Sequence, residues 1–136
     1  MNQFSLREDI RVLCVVAESF PEGISEAFQA IEKIVPDMTG RTLFGISSPV
    51  NGVIVYKAAV TELFQGEGKK YNCESFVIPK GEYSIETLHN LSIDSNLFRK
   101  TFQNLLSTPI LDKTFPCVEW YKSSKEVICM VKIKKQ

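Results

Sequence analysis

A chain of 136 residues has the length of one domain with its own hydrophobic core, and leaves no room for a second catalytic or DNA-binding domain. Hydrophobic residues make up 44% and charged residues 24%, which excludes the low-hydrophobicity, high-charge signature of disorder. Sixteen basic residues balance sixteen acidic ones, so no overall field draws the chain to nucleic acid or to an anionic membrane.

The first strand is expected at Arg11 to Glu18 (RVLCVVAE), a β-branched apolar run closed by Pro21 and Gly23. Ile24, Ala27, Phe28, Ile31, Ile34 and Val35 then recur at helical spacing until Pro36. Two strands follow, RTLFGIS from Arg41 and GVIVYKAAVTEL from Gly52, joined by a turn whose Asn51-Gly52 pair tolerates positive φ. QGEGKK reads as a polar loop, after which Phe76 to Ile78 and Glu82 to His89 are strand-like. Ser92 or Asp94 is placed to cap a second helix with Leu97, Phe98, Thr101, Phe102, Leu105 and Leu106 on one face, ended by Pro109. A last hairpin joins CVEWYK (Cys117 to Lys122) to EVICMVKI (Glu126 to Ile133).

The same order of elements thus occurs twice, over residues of about 10–64 and 75–135 within a single domain, 1–136. Phe28 and Phe102, Gly45 and Glu119, and Ile54 and Ile128 are each 74 residues apart. The fold class expected is α+β: duplicated strand-helix-strand-strand modules in a mainly antiparallel sheet, two helices on one face, and a cleft between the halves.

Strand alternation puts Val118 and Trp120 on one face and Cys117, Glu119 and Tyr121 on the other. Their counterparts are Phe44 and Ile46 on the larger apolar face, expected to pack beneath the helices, and Leu43, Gly45 and Ser47 opposite. If the hairpins meet across a pseudo-two-fold axis, the small Gly45 and Ser47 leave room beside Glu119 and Tyr121, which makes a candidate pocket.

Three stretches, CVEWY…EVICMVKI, FVIPKGEYSIETL and LFGISSPVNGVIVYKAAV, carry a resemblance to the GyrI-like effector-binding domains, covering about Arg11 to Lys134. The resemblance implies a cleft with a central glutamate on the penultimate strand and aromatic walls for hydrophobic, often cationic compounds. Glu119 matches that glutamate, Tyr121 follows it, and Tyr83 matches the tyrosine after a Pro-x-Gly turn. The family's transcription activators carry a helix-turn-helix ahead of this module, whereas about ten residues precede the first strand here. A stand-alone binder or enzyme is therefore expected, without direct nucleic-acid binding.

Each candidate also has an ordinary structural role. Carboxylates are seldom buried, so Glu119 alone would read as a solvated edge residue; the repeat and the resemblance reverse that. Tyr121 and Tyr56 suit a greasy cleft with a wet rim, or equally cross-strand packing. Tyr83 is a groove wall or an ordinary strand tyrosine. Trp120 is a further ligand-binding candidate, although alternation sets it opposite Glu119 and favours a core role. His89, the single histidine, reads as a surface residue rather than a haem ligand.

Cys14, Cys73, Cys117 and Cys129 include no CxxC pair, and neither zinc nor a disulfide framework is expected. KIKK at Lys132 to Lys135 reads as a solvated terminus. No cofactor is implied. MNQFSLREDIR lacks a signal-peptide pattern, and no apolar run reaches membrane-spanning length, so the expectation is a cytoplasmic protein without a membrane partner. The first functional reading is binding of a small hydrophobic molecule, cationic or neutral, for sensing or sequestration, with no catalysis. A second is hydrolysis of small electrophiles, with Glu119 activating water and Tyr121 donating a hydrogen bond. A third is a protein partner, as for the gyrase inhibitor that names the family.

Overall fold

The computed structural model describes residues 2–89 and 95–134. Eight strands form one antiparallel sheet curled into a half-barrel: β1 (Asn2–Leu6), β2 (Ile10–Val16), β3 (Leu43–Val50), β4 (Val53–Thr61), β5 (Glu74–Ile78), β6 (Gly81–His89), β7 (Cys117–Ser123) and β8 (Glu126–Lys132). Three helices complete it: α1 (Ile24–Ile34), α2 (Glu67–Lys70) and α3 (Ser95–Leu106). The strand order β1-β6-β8-β7-β3-β4-β2-β5 reads the same from either end once the halves are exchanged, and β3 pairs with β7 at the centre. Each outer strand is traded: β1 leads into β2 yet pairs with β6, and β5 leads into β6 yet pairs with β2.

Local chemistry accounts for most of these elements. The stripe of α1 buries Ala27 and Ile31, while Glu26 in its first turn and Lys33 in its last complement the helix dipole. Asn51 and Gly52 both take positive φ (51° and 80°), the two-residue turn that matches strand twist. The caps proposed for α3, Ser92 and Asp94, lie outside the described residues.

Two expectations need correction. The helices do not lie over Phe44 and Ile46. Under α1 are Leu13, Ala58 and Val60, with Leu43 beside them; against α3 are Val127, Cys129 and Val131, with Cys117 and Tyr121. Phe44, Ile46, Val118 and Met130 instead pack with Val12, Ile78 and Tyr83 on the inner face, where curling lets the sheet bury large side chains against itself. The constant offset also breaks within the hairpins. Gly45 faces Ala58 and Glu119 faces Cys129, so an offset of 74 between the central strands becomes 71 between their partners. The second hairpin absorbs the difference in its closer turn and in an irregularity between Tyr121 and Ser123.

Strand β1 and helix α2 were not anticipated. The first is an edge strand whose Phe4 ring lies 6.2 Å from Trp120 and whose Ser5 hydroxyl donates to Glu82. The second forms inside QGEGKK because Glu67 turns inward, where Arg41 meets it with two guanidinium nitrogens.

Candidate functional site

The central pair of strands sets Gly45 directly opposite Glu119 on the face that carries the helices. Two residues further along β7, and therefore on the same face, the Tyr121 hydroxyl donates to Glu119 Oε1 at 2.7 Å. Tyr56, from β4, reaches across the whole of β3 to donate to the same oxygen at 2.8 Å. That reach needs a glycine. A β-carbon at position 45 would run into the Tyr56 hydroxyl and the Glu119 carboxylate. The room left by Gly45 is filled by these two groups.

Aromatic rings surround the triad. Phe28 of α1 stands edge-on to both tyrosines, at 6.2 Å from Tyr56 and 5.8 Å from Tyr121. Phe20, on the loop between β2 and α1, stacks on Tyr56 at 5.8 Å and stays 43% exposed. From the other half, Phe98 and Phe102 of α3 join the cluster that includes Tyr121 and Cys117. Glu119 keeps partial solvent exposure, Tyr56 is buried and Tyr121 is partly buried.

No cation meets this carboxylate among the described residues, and Oε2 accepts no hydrogen bond from them. Burial raises the Glu119 pKa above its ordinary 4.5, and the two tyrosine hydrogen bonds only partly oppose it. The Tyr56 and Tyr121 hydroxyls are pushed well up by burial and by the neighbouring carboxylate, so both remain donors. Cys117 is pushed up to about 11, by burial and then by Glu119, and Cys129 is raised for the same first reasons. At neutral pH both are thiols rather than nucleophilic thiolates. Among the described residues, no group of three or more metal-ligating side chains comes together.

Of the five candidates from sequence, the structure brings together Glu119, Tyr121 and Tyr56. It separates Tyr83 and Trp120, which lie on the inner face. The Tyr83 hydroxyl donates to the Pro79 carbonyl at 2.5 Å, and Trp120 sits between Phe4 and Phe44 with centroids 6.2 and 6.1 Å away. Alternation along β7 had already set Trp120 opposite Glu119; for Tyr83 no such sign existed. Phe28 and Phe102 were visible as matching helix positions, but read only as packing. Phe20 carried no pattern at all. Two surface hollows, of about 380 and 580 Å³, are lined by Arg11 with residues 62–65, and by residues 15–19 with part of 22–30; neither is lined by Glu119.

No family model and no curated protein matches the chain. Solved structures do match. An integron cassette protein from the mobile metagenome of Vibrio cholerae superposes with a TM-score of 0.66 at 10% identity, over 98% of this chain and 95% of that one. SAV2435, solved bound to tetraphenylphosphonium, matches with a TM-score of 0.65 at 13% identity, over 96% and 93%. A hydrolase from Listeria innocua matches with a TM-score of 0.60 at 12% identity, over 98% and 91%. At such identities the likeness establishes the fold: this chain adopts, over nearly its whole length, the architecture those three share.

Proposed function

We propose that the chain binds a small hydrophobic cation over Glu119, between α1 and α3. One observation carries the reading: among the described residues, Glu119 is a partly buried carboxylate with two tyrosine donors on one oxygen, no donor on the other, no cation, and aromatic rings around it. Such a group is costly in an apolar setting until a positive charge meets it. The faces of Phe20, Phe28 and Phe102 supply area for an organic cation, and aromatic faces attract positive charge. Phe20 stacks on Tyr56 and is 43% exposed, so it is the ring a ligand would displace most readily. SAV2435, similar in fold, was solved with tetraphenylphosphonium, which supports a cation of that kind as the first probe.

Calorimetric titration with tetraphenylphosphonium should show saturable binding by the wild type. Glu119→Gln keeps the shape and removes the charge, so it should weaken the cation by about 2 to 5 kcal/mol while sparing neutral compounds of similar shape. Equal loss for cations and neutral compounds would refute a charge-pairing role.

A second reading, hydrolysis of small electrophiles, is favoured by the raised pKa of Glu119, which brings a carboxylate toward the range of a general base. In that case Glu119→Gln lowers turnover by about 10²- to 10⁴-fold with binding largely kept. Multiple-turnover product from a panel of electrophiles, detected by mass spectrometry and dependent on Glu119, would establish it over simple binding.

A further inference from the structure

A second carboxylate lies in line with the first. On the helix-bearing face, Glu119 of β7 is directly opposite Cys129 of β8, and Cys129 is directly opposite Glu86 of β6. Side chains in register on neighbouring antiparallel strands share a face, so Glu119, Cys129 and Glu86 form one row across three strands. Both carboxylates act on the thiol between them, each raising the Cys129 pKa after burial has done so. Strand spacing puts the two glutamate backbones about 10 Å apart, and the side chains can close some of that distance.

Glu86 was passed over in the sequence because its strand shows no special pattern, and its environment is unusual. Among the described residues, Oε2 of Glu86 is the one buried side-chain polar atom with no hydrogen-bond partner. Unpartnered buried acceptors are rare in native proteins, since each forgoes hydration without replacement. The buried hydroxyl of α3, on Thr101, is committed to the Leu97 carbonyl. Oε2 is itself buried, while the residue as a whole keeps partial exposure.

We propose that Glu86 is a second anchoring point of the same cleft, and that the preferred ligand is an elongated dication, one cationic donor group on Glu119 and the other on Glu86. This rests on the reading of Glu119 as a ligand's charge partner and extends it to the chemical class. Among the described residues, Oε2 of Glu119 and Oε2 of Glu86 each receive no donor, and a row of two such oxygens with a small uncharged thiol between them selects two positive ends joined by an apolar spacer. A monocation satisfies only one. The row passes under α3, of which only Thr101 and Leu105 are fully buried among described side chains, so the helix can yield to admit the second group.

The test compares an aromatic bis-amidine with the mono-amidine of the same ring skeleton, by calorimetry on the full-length protein. Wild type should bind the bis-amidine about tenfold more tightly or better. Glu86→Gln, isosteric and uncharged, should erase that advantage and leave the mono-amidine unchanged, whereas Glu119→Gln should weaken both. Thermal melts of each variant establish that the fold is kept. Mono-amidine binding that depends on Glu119, with no gain for the bis-amidine or with a gain that survives Glu86→Gln, would overturn the second anchor and leave the Glu119 site standing. Failure of both compounds to bind wild type would overturn the Glu119 site and the second anchor together.

Discussion

Glu67 and Glu119 both lose much of their water, and the protein treats them in opposite ways. Glu67, whose side chain has no accessible surface, receives two guanidinium nitrogens of Arg41 and the Leu63 amide. Arg41 is also fully used, donating to the carbonyls of Asp37 and Thr61 at 2.9 and 3.0 Å. These hydrogen bonds and the facing charge hold the Glu67 pKa below its ordinary value. Among the described residues Glu119 has two neutral donors on one oxygen and no cation, and its pKa goes up. The contrast teaches how to tell a structural carboxylate from a receptive one. A closed set of partners ties α2 to the β3–β4 hairpin, while the incomplete set at Glu119 is the one the proposed cation would complete.

The largest expected effect lies at the closed pair. Arg41→Met strands the Glu67 charge without compensation and should destabilise the fold by about 3 to 5 kcal/mol in urea unfolding, whereas Glu119→Gln should cost little or add stability. A greater loss from Glu119→Gln than from Arg41→Met would invert the comparison. Next comes Gly45→Ala, whose added methyl displaces Tyr56 and Glu119; about 1 to 3 kcal/mol of stability should go, with cation binding lost. Retained binding in Gly45→Ala would mean that the Tyr56–Glu119 contact is dispensable for the site. Tyr121→Phe removes one donor to Oε1 and should raise the Glu119 pKa further, an upward shift readable by carboxyl NMR.

The smallest effect, and the most diagnostic in sign, is the pH dependence of the melting temperature. Glu67 has a lowered folded pKa, so its contribution is present above the ordinary carboxylate range and is lost as pH falls through the folded value. Glu119 has a raised folded pKa, so its contribution is full below the ordinary value of 4.5 and is lost as pH rises through the folded value. Glu119→Gln should flatten the second slope and leave the first. A variant that flattens the acid-side slope instead would reassign the two roles.

Much of the fold could be read from the residues because periodicity, turn chemistry and element order agreed. The Asn51-Gly52 turn, the stripe of α1 and both hairpins follow from local rules, and the repeat set Gly45 and Glu119 at matching positions, which the central strands then pair. What escaped was whatever tertiary contacts decide. NQFSL has too little apolar character to announce β1, and it is held by a distant strand and by Trp120. Glu67 sits in a polar hexapeptide, and its partner Arg41 is 26 residues away, beyond any local pattern. The assignment of faces failed because a curled sheet has two apolar sides: bulky residues filled the inner one, and Phe28 and Phe102 brought their own bulk to the outer one. The tyrosine pair on Glu119 followed only half from sequence, since strand alternation gives Tyr121, whereas Tyr56 arrives from two strands away.

The claim at the centre of this account is that Glu119 lacks a positive partner which a ligand supplies. Carboxyl-selective NMR titration of Glu119, with and without a saturating aromatic quaternary ammonium ion, measures that directly. The account predicts a pKa above 4.5 in the free protein and a clear downward shift with the cation, while Glu67 stays low throughout. A Glu119 pKa at or below its ordinary value, or one that bound cation leaves in place, would contradict it.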